Sequence, residues 1–229
     1  MSISDNLQAI RHRIADAARA CGRDPADILL LAVSKTKPDA DIIAAHAAGQ
    51  TAFGENYVQE GCDKAQRLEE AGLALDWHFI GPLQSNKTRQ VATWFDWVHS
   101  VDREKIAARL SEQRDPHRPP LNLCIQVNVS GETSKSGVAP DEVAALADAI
   151  AVLPRLALRG LMAIPEPTDD VALQRRRFAH LRQLKDDLNA RGHRLDTLSM
   201  GMSQDLEAAI AEGATIVRIG TALFGPREG

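Results

Sequence analysis

Leu29-Leu30-Leu31-Ala32-Val33-Ser34-Lys35-Thr36-Lys37-Pro38 is an apolar run that stops at a lysine. A continuous branched run of this length predicts a strand buried on both faces, as in a parallel sheet. Pro38 ends the extended segment and suits the first position of a helix. Side chains alternate along a strand, so Lys35 shares a face with Leu29, Leu31 and Val33 and points towards whatever the sheet encloses. An ammonium there is partly desolvated, its pKa falls, and a neutral amine becomes available. A neutral lysine in a pocket attacks carbonyl carbon and forms a Schiff base. The alternative is a surface lysine just past a strand end, since lysine is almost never buried unpaired.

Outward from this stretch, strands and helices alternate. Upstream, Leu7, Ile10, Ile14, Ala17, Ala18 and Cys21 recur at helical spacing over 4–21, with Ser4 as the cap and Gly22 at the end. Downstream, further strands are expected at 51–53, 76–80, 95–100, 121–129, 156–164, 195–199 and 215–219. Helices are expected at 39–49, 57–71, 85–93 (capped by Ser85), 103–114, 141–152, 170–190 and 204–212. Gly160 marks a bulge or a close approach of backbones. Arg175, Arg176 and Arg177 lie on the 170–190 helix and read as a solvated face.

Eight strands, nearly all followed by a helix, predict a parallel sheet closed into a TIM-type (β/α)8 barrel. The rival is an open doubly wound sheet, which the lack of GxGxxG after the first strand disfavours. The 229 residues suit one domain spanning 1–229, with no repeat or linker. Little chain remains after the eighth strand for an outer helix, so the N-terminal helix is expected to cover the seam between strands eight and one.

The net charge of −4 leaves no basic footprint for nucleic acid. No stretch reaches the length of a membrane span, and the N-terminus does not read as a signal peptide. Cys21, Cys62 and Cys124 are scattered and odd in number, which predicts a reducing, cytoplasmic setting. The seven histidines show no metal-binding spacing.

In such a barrel the reactive groups gather at the C-terminal strand ends. Leu198-Ser199-Met200-Gly201-Met202-Ser203-Gln204-Asp205 offers Gly201 for close backbone approach and Ser203 as a helix cap, an arrangement that binds phosphate. Gly220 and Thr221 follow the eighth strand, and loops seven and eight are the usual phosphate site of this fold. Arg218, inside an apolar strand, is either a structural ion pair or a donor to a ring nitrogen or a phosphate. Asn56 can bond a ligand near Lys35. His78 reads as a satisfied core histidine, and Lys37, Lys87 and Lys135 as rim charge. A Schiff-base lysine, a phosphate cradle and a ring-nitrogen partner together suit pyridoxal 5′-phosphate.

The stretches LLAVSKTKP, FGENYVQE, WHFIGPLQSNK, SKSG, LSMGMSQD and RIGTALFG, spread over nearly the whole chain, resemble the pyridoxal phosphate homeostasis protein family. Its barrel is similar to the N-terminal domain of alanine racemase. The resemblance implies that Lys35 carries the cofactor as an internal aldimine. It implies that Ser199 to Ser203, Gly220 and Thr221 hold the phosphate, and that Arg218 faces the pyridine nitrogen. It further implies a carrier or regulator without a firmly assigned reaction; a monomer is expected, with apo enzymes that use pyridoxal phosphate as recipients.

Two other functions compete with a carrier. A racemase-like enzyme would be expected to add a β-rich domain with a tyrosine base, whereas Tyr57 is the one tyrosine here. An arginine partner also leaves the pyridine ring a weaker electron sink, and one domain leaves the cofactor face open to water. A class I aldolase would use the same lysine and phosphate cradle on a sugar phosphate.

Overall fold

Eight parallel strands close into a barrel in chain order, in a computed structural model that describes residues 2–131 and 136–226. The strands are β1 (Leu29–Val33), β2 (Ala52–Glu55), β3 (Asp76–Phe79), β4 (Trp97–Val101), β5 (Leu121–Gln126), β6 (Leu156–Met162), β7 (Thr197–Ser199) and β8 (Ile216–Ile219). Closure is made by β8 on β1, with Leu31 opposite Arg218. The helices are α1 (Ile3–Ala20), α2 (Asp39–Ala47), α3 (Val58–Glu70), α4 (Thr88–Trp94), α5 (Glu104–Gln113), α6 (Val143–Ala151), α7 (Val171–Ala190), α8 (Leu206–Ala211) and the single turn α9 (Thr221–Phe224). No helix among the described residues is long and apolar enough to cross a membrane.

Strand parity divides the apolar side chains into two cores. Leu30, Ala32, Phe53, Phe79 and Val98 face outward and pack under the helices. Leu31, Ala52, Ile80 and Ile216, with Val33, form a small cluster inside the barrel. The rest of the interior is polar for a barrel of this type: His78, His99, Ser199 and Arg218 are all buried in hydrogen-bond contact.

The helix α1 packs between the helices that flank β8 and β1. Asn6 Nδ2 donates to the Leu223 carbonyl at 2.9 Å, and Arg13 grips Glu207 with two bonds. On the other side Arg11 donates to the carbonyls of Ala48 and Gly49. Leu7, Ile10, Ile14 and Ala18 are the buried stripe. Ser2, not Ser4, caps this helix: its Oγ accepts the Asp5 N–H at 3.1 Å and the Asp5 carboxylate accepts the Ser2 N–H in return. The reciprocal pair satisfies two orphan donors, so the helix starts earlier than the expected 4–21.

Two other caps differ from the sequence expectation. The helix α4 begins at Thr88 with Lys87 before it, because residues 84–87 form a turn and the Ser85 carbonyl accepts the Thr88 hydroxyl. Pro38 precedes α2 rather than starting it. At Gly160 the β5–β6 register slips by one residue, and an added Cβ would overlap the Thr197 carbonyl. Bulge and close approach therefore meet at one glycine.

Candidate functional site

The C-terminal strand ends surround a cavity of about 620 Å³, a size that holds a small organic ligand. Lys35, Asn56, Ser203, Arg218, Gly220 and Thr221 all line it. A second cavity of about 530 Å³ lies at the opposite end of β1, and its Arg11 is already engaged by backbone carbonyls.

Lys35 stands two residues beyond Val33 in a turn, half-buried, on the inward parity of Leu31 and Val33. The turn requires Thr36 at φ +62°, a backbone state that opposes a β-branched side chain and costs about 1–3 kcal/mol. A buried polar cluster behind the turn holds it. Glu60 accepts the Thr36 N–H at 2.5 Å. Lys64 Nζ donates to the Ser34 carbonyl at 2.7 Å, to Glu55 at 2.9 Å and to Glu60 at 2.7 Å. Ser34 Oγ donates to the same Glu55 oxygen at 2.7 Å. Burial pushes the Glu55 carboxyl up, against the pull of Lys64, and its Oε2 has no partner. The Glu60–Lys64 spacing on α3 is a sequence signal for an i,i+4 pair; that it lies under the Lys35 turn required the fold.

Arg218 enters from β8, 3% exposed. Its Nη1 donates to Ser199 Oγ at 2.7 Å and its Nη2 to the Ala163 carbonyl at 2.8 Å. Both acceptors are neutral, and burial pushes the guanidinium down to about 10 despite Asp205 nearby. A buried cation with only neutral bonds is electrostatically incomplete, and an electron-rich or anionic ligand would compensate it. Beneath it, Ser199 Oγ lies 2.7 Å from His99 Nδ1, and His99 Nε2 lies 2.9 Å from His78 Nδ1. His78 stacks on Trp97, which in turn carries the Arg159 guanidinium 5.1 Å from its ring centroid. Burial holds His78 down to about 3 and His99 well below the ordinary histidine range. His78 is thus a core histidine with its hydrogen bond made.

The side-chain oxygen of Asn56 is buried at the cavity wall without a hydrogen-bond partner. Buried acceptors are normally satisfied, so this one is suited to a donor from a ligand or an ordered water.

The loop after β7 divides differently from expectation. Ser203 lines the cavity but lies in a turn; α8 begins at Leu206 with Asp205 before it, and Asp205 Oδ1 takes the Met202 N–H at 2.6 Å. Ser203 is therefore not the helix cap. Ser199 sits below the cavity, bonded to Arg218 and His99. Met200 is fully buried in the helix-side core. Gly201, at φ +96°, packs against α8, where an added Cβ would come 2.6 Å from the Ala209 Cβ. None of these three lines the cavity.

Among the lysines, Lys37 is drawn away to the carbonyls of Phe224 and Pro226, and Lys87 sits at the start of α4. Lys135 lies outside the described residues. The arginine run on α7 is not a uniformly solvated face. Arg175 pairs with Glu212, but Arg177 lies along the cavity wall, 12% exposed, donating to the Glu166 carbonyl at 2.8 Å. It lies next to the buried Phe178, and Gln174, one turn earlier, also lines the cavity. No group of three or more His, Cys, Asp or Glu side chains converges among the described residues.

The alanine racemase N-terminal domain model matches residues 6–228. A pyridoxal phosphate homeostasis protein of Pseudomonas aeruginosa is 63% identical over 227 residues, covering 99% of this chain and 96% of the relative. The structure of PipY of Synechococcus elongatus PCC7942 with PLP bound superposes with a TM-score of 0.85 at 37% identity, covering 98% of this chain and all of the other. An alanine racemase of Corynebacterium glutamicum shares the fold at a TM-score of 0.72 and 18% identity; the match covers 96% of this chain and 62% of the racemase.

Proposed function

We propose that this chain, which belongs to the pyridoxal phosphate homeostasis protein family, binds pyridoxal 5′-phosphate at the barrel mouth and stores or delivers it. The observation that carries this is the convergence of Lys35, Arg218 and the Gly220–Thr221 helix start on one cavity. The residues fit the cofactor: Arg218 lacks an anionic bond, and Asn56 presents a buried acceptor without a partner. When bound, pyridoxal 5′-phosphate supplies an aldehyde that bonds to a primary amine.

Lys35 supplies that amine from the rigid turn held by Glu60 and Lys64. Arg218 donates towards the ring nitrogen. Ser203 and Thr221 offer hydroxyls to the phosphate. The first N–H groups of α9, which have no partners within the helix, face the same charge. Asn56 orients the ring from the β2 side.

The favoured role is a carrier rather than an enzyme. Guanidinium is a poor proton source, so Arg218 leaves the ring nitrogen unprotonated. Tyr57 is 54% exposed at the start of α3 and does not line the cavity. No histidine or tyrosine stands on the cavity wall among the described residues to move a proton on the open face. In this proposal one domain spanning 1–229 acts as a monomer in the cytoplasm, where unpaired Cys21, Cys62 and Cys124 are stable. The recipients are apo enzymes that require the same cofactor.

The test is the visible spectrum of the purified protein with added pyridoxal phosphate, alongside an amino-acid racemisation assay. A bound absorbing species without turnover is expected. Turnover near the typical enzymatic rate of about ten per second would make the protein a racemase instead. A protein that leaves the cofactor free would overturn the assignment.

A further inference from the structure

The interior chain below the cavity is built from groups that cofactor binding alone does not require: Ser199, His99 and His78, all buried. Their hydrogen bonds have a direction. Arg218 offers only donors, so Ser199 Oγ must accept from it. The Ser199 hydroxyl proton then needs an acceptor, and His99 Nδ1, at 2.7 Å, is the one other group bonded to that oxygen among the described residues. His99 therefore carries its proton on Nε2 and donates it to His78 Nδ1 at 2.9 Å. The tautomers of both rings follow from the donor-only character of one arginine.

We propose that His99 is a positioning residue: through Ser199 it sets the direction in which Arg218 presents its remaining N–H donors to the ring nitrogen of pyridoxal 5′-phosphate. The inference rests on the cofactor proposal above. Two of the five guanidinium donors are committed, to Ser199 and to Ala163, from strands on one side of Arg218. Those two bonds fix a planar group that no carboxylate grips among the described residues. Without His99, the Ser199 hydroxyl loses the proton acceptor it has among the described residues. It then has no reason to hold the rotamer that receives Arg218. Burial keeps both imidazoles neutral, which leaves Nδ1 of His99 able to accept. His78 locks the far nitrogen, and its stacking on Trp97 fixes the ring plane.

Two substitutions separate positioning from packing. His99→Leu removes the acceptor. His99→Asn returns a side-chain oxygen near the place of Nδ1. His99→Leu should weaken pyridoxal phosphate roughly tenfold or more, because the charge-assisted bond from a misdirected Arg218 to the ring nitrogen is lost. It should also move the absorption band of the bound cofactor, and His99→Asn should restore most of both. If His99→Leu does not fold, Ser199→Ala carries the same test and should move the band in the same direction. In the ligand-free wild type, ring ¹⁵N shifts should show His99 protonated at Nε2. A folded His99→Leu or Ser199→Ala variant with wild-type affinity and band overturns the inference, as does an Nδ1-protonated His99. A wild type that shows the expected tautomer but binds no cofactor overturns the proposed function, and the positioning role with it.

Discussion

Lys35 and Arg218 face one cavity from strands that are neighbours only because the barrel closes. Arg218 lies opposite Leu31, and Lys35 is four residues further along the same face. An amine and a guanidinium far apart in sequence thereby line one cavity. An open sheet in chain order would have left β1 and β8 at opposite edges.

The phosphate end separates two kinds of loop residue. Thr221→Val and Ser203→Ala should weaken pyridoxal phosphate more than pyridoxal, because in the proposed binding mode only the phosphate uses those groups. Gly201→Val should instead lower stability by about 1–3 kcal/mol through its positive φ and its contact with Ala209, with equal loss of both ligands per folded molecule. Binding isotherms for the two ligands, with denaturant melts, make the comparison. A phosphate-selective loss at Gly201 would return that glycine to the cradle.

The cluster behind Lys35 should be sensitive to the loss of one partner. Lys64→Met leaves Glu55 and Glu60 facing the Ser34–Thr36 turn without a cation, and breaking a buried pair costs about 3–5 kcal/mol. Adding Glu55→Gln should recover part of that loss, since the uncompensated charge is removed. Urea melts of the single and double variants measure the coupling, and strict additivity would contradict it.

Stability should fall as pH drops below the ordinary histidine range. The imidazoles of His78 and His99 stay neutral when buried, with His78 down to about 3 from 6.5, whereas the unfolded chain takes up protons near 6.5. Their contribution is thus fully present above 6.5 and is lost progressively as pH falls towards 3. Between neutrality and pH 5 the His78 contribution falls by about 2 kcal/mol, and His99 adds to the fall in the same direction. Glu55 and Asp205, whose carboxyls burial raises, act in the opposite sense by taking up protons first in the folded state. Thermal melts from pH 7 to 5 should show the fall, flattened in His78→Asn. The same pH dependence of Tm in the wild type and in His78→Asn would mean that His78 titrates normally.

The barrel was legible because its strands are apolar runs with helical spacing between them, and strand parity alone aimed Lys35 inward. Arg218 was legible as an arginine inside Ile216-Val217-Arg218-Ile219. Its bonding was not, because Ser199, His99 and Ala163 come from three other strands or strand ends. Arg177 was hidden in a run of three arginines, of which Arg175 pairs with Glu212 and Arg176 is exposed. Ser203 looked like a cap because serine favours that position, yet Asp205 stabilises the turn first by accepting the Met202 N–H. Glu55 and Lys64 could be placed on a strand and a helix but not under the same turn.

The most direct measurement is borohydride reduction of the protein equilibrated with pyridoxal phosphate, followed by peptide mapping. The pyridoxyl label is expected on the peptide containing Lys35, and Lys35→Ala should abolish the reducible band. Label mainly on Lys37 or Lys135, with Lys35 unmodified, would contradict the assignment of Lys35 as the cofactor's anchor.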